Sequence, residues 1–410
     1  MRAGRIVAGL IFVVLTLYAG VCAGGDSGAR NRPSKLKLEP LFTHRLPSVP
    51  EAYWALPVAA NPWVLVVSFQ RPPSTKAPNF RASVLDWKLG GVLASKELLT
   101  QFYPDSTAPA CQEGDPFRSR YVGAFENVFA VKLCSQLRTF MLPSLEPKDV
   151  LLDVRPNGAL EDIANSADGQ FLAVVFRPPA SGDLRGSRKV LVFNTTSWEL
   201  RATINMEPAP PYIHSVSLSR DGRYVAVASP IVVKGFGEGD HIYVFDTMSG
   251  DLVAEFDLKP LPGESGYHSP PYHFAGAESQ WILSSGVVAG TKRDSLYVWD
   301  WRLGKVARVI EDRGGIGAPL DVSSDGLLVA ADVRGDPDVA MYLPIRDFKI
   351  FNVVTGRVVY ESPTYRWANR WGNKPQGAHL AQLRIQFSRD GQYIVDASGY
   401  DEVIVYSITR

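Results

Sequence analysis

Cysteine and histidine are scarce in this chain, which has three cysteines and six histidines among 410 residues. Cys22 lies in an amino-terminal segment discussed below, so Cys111 and Cys134 remain. Two cysteines with no histidine close by lack the ligands of a structural zinc site, and we expect no bound metal. In an oxidising compartment such a pair predicts a disulfide between Cys111 and Cys134. Two buried free thiols are the alternative.

An excess of charge of either sign is also missing, since 43 Lys and Arg face 42 Asp and Glu. A near-neutral chain has no general electrostatic reason to bind nucleic acid or an anionic membrane. The sequence contains no G-x-S-x-G nucleophile motif and no Gly-rich phosphate loop. It therefore offers no anchor for a nucleophilic triad or for a nucleotide, and we expect no cofactor and no catalytic residue.

Long apolar runs are absent except at the start, where Arg2 and Arg5 precede the run Ile6–Tyr18 and Val21-Cys22-Ala23 follows it. This order is typical of a secretory signal peptide, residues 1–23, with cleavage after Ala23. The run is short for a membrane anchor, which needs about 20 apolar residues. A lipoprotein signal ending at Cys22 is a third interpretation.

Removal of residues 1–23 would take away Arg2 and Arg5 and no acidic residue, which changes the formal net charge from +1 to −1. We expect a secreted or periplasmic protein with no membrane span after cleavage. Residues 24–34 are polar and predict a flexible lead-in. Residues 35–410 predict a single domain, because their pattern repeats to the end of the chain.

The repeat begins with a turn of the form Ser-x-Asp-Gly. Ser and Asp side chains hydrogen-bond nearby backbone groups, and Gly accepts a positive φ without steric strain. A weaker copy, Gly276-Ala277-Glu278-Ser279, precedes another apolar strand. The structural residues predicted for the four full turns are Asp168 and Gly169, Asp221 and Gly222, Asp325 and Gly326, and Asp390 and Gly391.

Each turn is followed by an apolar strand, a variable loop and a third strand that ends in an aromatic residue, and in all but the last unit a fourth strand follows. The spacing is about 50 residues, as in propeller repeats with loop insertions. Two further units, Tyr53–Leu98 and Tyr121–Val154, lack the Asp-Gly turn. The sequence therefore predicts an all-β, seven-bladed β-propeller.

The last unit stops one strand short, after Val403–Ile408. An open blade edge is an aggregation hazard. The extended segment Lys37–Pro47 belongs to no unit of its own, so we predict that it supplies the outer strand of the last blade and closes the ring. An exposed arm is the alternative.

The strand end Leu296-Tyr297-Val298-Trp299-Asp300 and the segment Gly377-Ala378-His379 resemble the Trp-Asp and Gly-His elements of the WD40/YVTN-repeat-like propeller superfamily. The resemblance implies the propeller fold. It also implies that His379, Asp401 and Tyr406 are structural hydrogen-bonding residues of the last blade. It implies no particular activity, because function on such a scaffold depends on its sites.

The predicted loops differ between the two ends of the ring. With the strands of a blade lettered a to d in chain order, the a–b and c–d turns are short. The long insertions fall in b–c loops, such as Arg71–Asn79, Arg177–Lys189, Pro230–Asp240 and Arg334–Arg346, and in d–a loops, such as Ser362–Ala378. Because loops on a rigid scaffold carry binding residues, we predict one elaborated binding face.

Within that face the predicted binding residues are Tyr365, Arg366, Trp367, Arg370 and Trp371. Trp and Arg dominate interface hot spots, and aromatic faces suit sugar stacking. The alternative is that both Trp side chains pack onto blade edges.

We therefore expect a non-enzymatic, monomeric module that binds a protein or glycan. The alternative is a propeller enzyme, quinoprotein-dehydrogenase-like or a hydrolase, with its site at the mouth of the axial channel. Asn194-Thr195-Thr196 is an N-glycosylation sequon.

Overall fold

The structure is a computed structural model. All the residues it describes belong to the compact unit Lys35–Arg410. They are residues 36–46, 52–70, 79–98, 122–133, 136–153, 158–177, 188–206, 213, 215–233, 236–258, 269–287, 294–312, 315–334, 346–362, 385–397 and 402–410.

These residues form 28 β-strands and no helix, arranged in seven antiparallel sheets of four strands each. Blade 1 consists of β2 (Ala52–Pro57), β3 (Trp63–Gln70), β4 (Asn79–Asp86) and β5 (Gly91–Glu97). Blade 2 consists of β6 (Val122–Ala124), β7 (Val128–Leu133), β8 (Gln136–Met141) and β9 (Pro147–Asp153). Blade 3 consists of β10 (Ala159–Asn165), β11 (Phe171–Arg177), β12 (Arg188–Asn194) and β13 (Leu200–Met206).

Blades 4 to 7 complete the ring and follow the same a-b-c-d order. Blade 4 has β14 (Ser215–Leu218), β15 (Tyr224–Val233), β16 (Phe236–Asp246) and β17 (Leu252–Leu258), and blade 5 has β18 (Ser269–Ala275), β19 (Trp281–Val287), β20 (Asp294–Asp300) and β21 (Lys305–Ile310). Blade 6 has β22 (Ile316–Val322), β23 (Leu328–Arg334), β24 (Arg346–Asn352) and β25 (Val358–Glu361). Blade 7 has β26 (Ile385–Phe387), β27 (Tyr393–Asp396), β28 (Glu402–Thr409) and β1 (Lys37–Arg45).

The core is divided among the contacts between blades. Seven clusters of buried apolar side chains occur among the described residues, and each joins two neighbouring blades, including blade 7 with blade 1. The b and c strands read as continuous apolar runs because both their faces are covered. The molecule is a seven-bladed β-propeller, as the repeat predicts.

The ring is closed by the amino-terminal strand. β1 pairs antiparallel with β28, with Lys37 opposite Thr409 and Arg45 opposite Glu402. Phe42 and Leu46 add apolar contacts to the cluster between blades 7 and 1. The prediction that the segment Lys37–Pro47 supplies the missing outer strand is confirmed for Lys37–Arg45.

The four Ser-x-Asp-Gly turns share one hydrogen-bonded geometry. In the turn of blade 4, the Ser219 hydroxyl donates to Asp221 Oδ1 at 2.8 Å and accepts the backbone N–H of Tyr224 at 2.8 Å. Gly222 has φ +66°, in the left-handed region that favours glycine. The turns of blades 3, 6 and 7 repeat these contacts.

The two ends of the ring differ in their connections. Every a–b and c–d connection between consecutive strands has three to five residues, whereas the longest d–a connections, 98–121 and 362–384, have more than 20. One predicted loop is wrong. Pro230–Asp240 is mostly strand, because β15 continues to Val233 and β16 begins at Phe236. Its β-branched residues favour the extended backbone.

Candidate functional site

Polar side chains of the a strands, which line the channel, join neighbouring blades. In each case a side-chain oxygen accepts a backbone N–H from the a strand of the next blade. The three bonds run from Val216 N to Asp162 Oδ2 at 2.8 Å, from Phe274 N to Ser217 Oγ at 3.2 Å and from Phe387 N to Asp321 Oδ2 at 2.7 Å.

These bonds show that two carboxylates near the axis have a structural role. Asp162 and Asp321 both lie beside a shift in the register between the a and b strands of their blades, at Leu160/Asp162 and Pro319/Asp321. Such bulges re-aim side chains. Each carboxylate therefore satisfies a backbone donor that the strand ladder of the neighbouring blade leaves open.

A cavity of about 170 Å³ lies on the axis. Its walls come from the carboxyl-terminal halves of the a strands and from the a–b turns, so it lies at the end of the channel with the short connections. All seven blades contribute to its lining, for example with Trp54, Ala124, Asn165, Ser217, His273, Asp321 and Arg389.

Arg389, in the a–b turn of blade 7, crosses this end of the channel. Its Nη2 donates to the backbone oxygen of Ala124 in blade 2 at 2.8 Å. Its guanidinium carbon lies 5.3 Å from the ring centroid of Phe125. A Cβ on Gly169 of blade 3 would stand 1.7 Å from that carbon, so only glycine leaves room for the guanidinium.

The charge of Arg389 is poorly compensated. Burial lowers the pKa of Arg389 to about 10, and Asp168 and Glu126 oppose this effect only in part. Both carboxylates are exposed, and no ion pair joins Arg389 to any described residue. The guanidinium remains charged at neutral pH, and it faces the cavity with donors to spare.

Other polar groups surround the same cavity. His273 is buried, with 7% of its surface exposed, and Asp321 brings a carboxylate. Asn165 Oδ1 is buried with no hydrogen-bond partner among the described groups. Gln386 and Ser324 add an amide and a hydroxyl. The cavity thus combines one cation, one carboxylate, one imidazole and several neutral polar groups.

A second group of charges lies at the opposite end, between blades 2 and 3. Lys132 Nζ donates to the backbone oxygen of Leu160 at 3.0 Å, and Arg188 Nε lies 2.8 Å from Glu161 Oε2. Burial lowers the pKa of Lys132 to about 8, against the opposing influence of Asp162 and Glu161. This network ties the two blades together beside the long connections.

The predicted binding and disulfide residues lie outside the described residues. They are Tyr365, Arg366, Trp367, Arg370, Trp371, Cys111 and Cys134, and the same holds for His379 and Asp401. Tyr406 is buried on β28. The Trp-Asp strand end is present in blade 5, where the Trp299 indole N–H donates to the Ser284 hydroxyl at 2.9 Å.

Asn194 has a structural role in its c–d turn. Its Oδ1 accepts the backbone N–H groups of Thr196 at 2.9 Å and Ser197 at 3.1 Å. Asp246 and Asp300 occupy the same place in blades 4 and 5 and accept equivalent bonds. The turn alone therefore accounts for asparagine at this position.

The cavity residues that the sequence did not single out include Arg389, Asn165, Gln386 and Asp321. Arg389 and Arg220 stand in two different turns that share the sequence Ser-Arg-Asp-Gly, so no local signal distinguishes the two arginines. In the part of the chain that the structure describes, no group of three His, Cys, Asp or Glu is placed to hold a metal. None of the described segments is a helix suited to crossing a membrane.

The comparisons with known proteins identify the fold. No family model and no curated protein matches the chain. An oligogalacturonate lyase from Vibrio parahaemolyticus is similar in structure, with a TM-score of 0.53, 11% identity and coverage of 91% of this chain and 97% of that one. Hydrazine synthase of Kuenenia stuttgartiensis is also similar in structure, with a TM-score of 0.53, 12% identity and coverage of 90% of this chain and 97% of that one. At these identities the likeness shows the propeller fold alone.

Proposed function

We propose that this chain is an exported, non-enzymatic β-propeller, a divergent relative of the WD40/YVTN-like propellers, that binds a protein or glycan partner. The binding face is the end of the ring that carries the b–c and d–a connections. Tyr365, Arg366, Trp367, Arg370 and Trp371 form its contact residues.

The observation that carries this proposal is the uneven length of the connections. All a–b and c–d connections have three to five residues, while d–a connections reach more than 20. Neutral variation in loop length would affect both ends. Long loops on a rigid ring are the usual place of binding residues. The segment 362–384, with its Trp and Arg residues, is one of the two longest.

A second candidate, an enzyme with its site at the channel mouth, has one observation in its favour. His273, Asp321 and Arg389 line a single axial cavity, and such convergence of ionisable groups from several blades is what a catalytic site needs. Against it, Asp321 Oδ2 accepts a backbone N–H from blade 7. We therefore rank partner binding first.

The test compares two double variants of the chain without residues 1–23. Trp367→Ala/Trp371→Ala changes the proposed face. Met248→Ser/Leu303→Ser is the matched control, because these side chains are 69% and 68% exposed in c–d turns at the other end. Each protein is immobilised and incubated with the native extracellular fluid and with a glycan array.

We expect the tryptophan variant to lose at least about tenfold in retention of the partner, as for hot-spot residues. The control variant should retain the partner as the wild type does. Thermal melts of both variants check folding. Equal retention by all three proteins would contradict the site, and unfolding of the tryptophan variant would place both side chains in the core.

A further inference from the structure

We propose that the axial cavity at the a–b turn end binds a small organic carboxylate, anchored by the guanidinium of Arg389. This site lies at the opposite end of the channel from the proposed partner-binding face. It does not depend on that function, and either proposal can fail without the other.

The first step is the state of the guanidinium. Arginine carries five N–H donors in a fixed fork. Arg389 donates to the backbone oxygen of Ala124, and this is its one hydrogen bond with the described residues. The Arg389 side chain is half-buried, and a charged group that is partly removed from water is less unfavourable when it is paired. The remaining donors and the charge call for an acceptor anion in the cavity that Arg389 lines.

The second step is that the guanidinium is held in place before any ligand arrives. Phe125 lies under it at 5.3 Å, and the backbone of Gly169 packs against it so closely that a Cβ would stand 1.7 Å away. A positioned guanidinium binds carboxylates with two parallel hydrogen bonds. Because its rotamer is already fixed, little conformational entropy is lost on binding.

The third step concerns the kind of anion. Asp321 and His273 line the same cavity, so the site has one fixed cation and one carboxylate. This balance favours a monoanion over the dianionic form of phosphate. Trp54, Leu56 and Phe274 provide apolar walls, and a cavity of about 170 Å³ has room for a ligand about the size of benzene, since an engineered cavity of about 150 Å³ binds benzene. A short-chain carboxylate fits both the charge and the walls.

The experiment measures binding of sodium propionate to the whole chain without residues 1–23 by NMR titration, at an ionic strength held constant with sodium chloride. Propionamide tests the requirement for charge, and sodium phosphate tests the alternative oxyanion. Arg389→Gln is the principal variant. Arg220→Gln is the matched control, because Arg220 holds the same position in a turn of the same sequence and is exposed.

We expect propionate to bind the wild type and the Arg220→Gln variant equally. Binding to Arg389→Gln should be at least about tenfold weaker, since a charge-assisted pair is lost. Propionamide should not bind. Gln386→Leu keeps the turn and Arg389 and should weaken binding about threefold, which tests the site even if Arg389→Gln fails to fold.

Three results would overturn the proposal. The first is no saturable binding of propionate by the wild type. The second is equal binding by the wild type and a folded Arg389→Gln. The third is phosphate binding tighter than propionate, which would show that the cavity is not selective for a carboxylate.

Discussion

Two turns of this propeller have the same sequence and the same backbone, yet their arginines differ in environment. Ser219-Arg220-Asp221-Gly222 in blade 4 and the Ser-Arg-Asp-Gly turn of blade 7 make the same contacts between Ser, Asp and the backbone, with glycine φ of +66° and +67°. Arg220 is exposed, whereas Arg389 reaches across the channel to blades 2 and 3.

The difference comes from what the other blades present to each turn. Arg389 finds the Ala124 oxygen, the Phe125 ring and the open backbone of Gly169. The turn of Arg220 instead contacts its neighbour in blade 5, where the Ser279 hydroxyl accepts the Arg220 backbone N–H at 2.9 Å. A local motif thus determines the conformation of a turn, while the rest of the ring determines what its second residue does.

The turn glycines also share a backbone conformation and differ in their neighbours. Substitution of these glycines should have the largest effect on the free energy of unfolding. Gly326 and Gly391 have φ of +74° and +67°, so alanine is strained at both positions. A Cβ at position 326 would stand 2.3 Å from the backbone oxygen of Gly276, whereas at 391 the nearest atom is Ser324 Oγ at 3.6 Å. Backbone cannot yield as a side chain does.

Gly326→Ala should therefore lower the free energy of unfolding by about 3–5 kcal/mol, from φ strain plus overpacking. Gly391→Ala should lower it by about 1–2 kcal/mol, from strain alone. Urea unfolding followed by fluorescence measures both. Equal losses of unfolding free energy at positions 326 and 391 would show that the close backbone contact at position 326 adds nothing to the φ strain.

Gly169 provides the next test, because its neighbour is the Arg389 side chain. Gly169→Ala should lower the free energy of unfolding by about 2–3 kcal/mol, from φ strain and displacement of the guanidinium. In an Arg389→Ala background the same substitution should cost only about 1–2 kcal/mol. A double-mutant cycle by urea unfolding gives the coupling energy. A coupling energy of zero would show that the substitutions at positions 169 and 389 act independently, which would contradict the contact between them.

The propeller could be predicted from the sequence because its units carry local signals. The Ser-x-Asp-Gly turns, the apolar b and c strands and an unassigned segment at Lys37–Pro47 were sufficient to predict seven blades and the closing strand. The insertion Pro230–Asp240 was predicted as a loop, and it contains one proline and three glycines. The valines between them favour the strand that the structure shows.

The axial cavity could not be predicted, because its residues meet only when the ring closes. Arg389 and Gly169 are more than 200 positions apart in the chain, yet the guanidinium of Arg389 fits only because residue 169 has no side chain. Asp162 and Asp321 have no sequence motif. Their role depends on a neighbouring blade that offers an open N–H group.

Lys132 extends the comparison to a second cation buried by the contact of two blades. Its folded-state pKa is lowered to about 8, below the usual 10.5, by burial. The unfolded chain therefore binds more protons between these values, and stability from this group rises with pH in that window. Glu161, Asp162 and Arg188 lie nearby, but the lysine contribution can be isolated with Lys132→Met.

Between pH 7 and pH 9, the wild type should gain about 1 kcal/mol in free energy of unfolding relative to Lys132→Met. Urea unfolding at the two pH values measures the difference, and Lys189→Met, which changes a half-buried lysine on β12 of the neighbouring blade, is the control. A gain shared equally by the wild type and both variants would assign the pH dependence to other groups. A gain confined to chains that keep Lys132 would show that contact between blades, rather than the local sequence, sets the protonation of this buried cation, as it sets the position of Arg389.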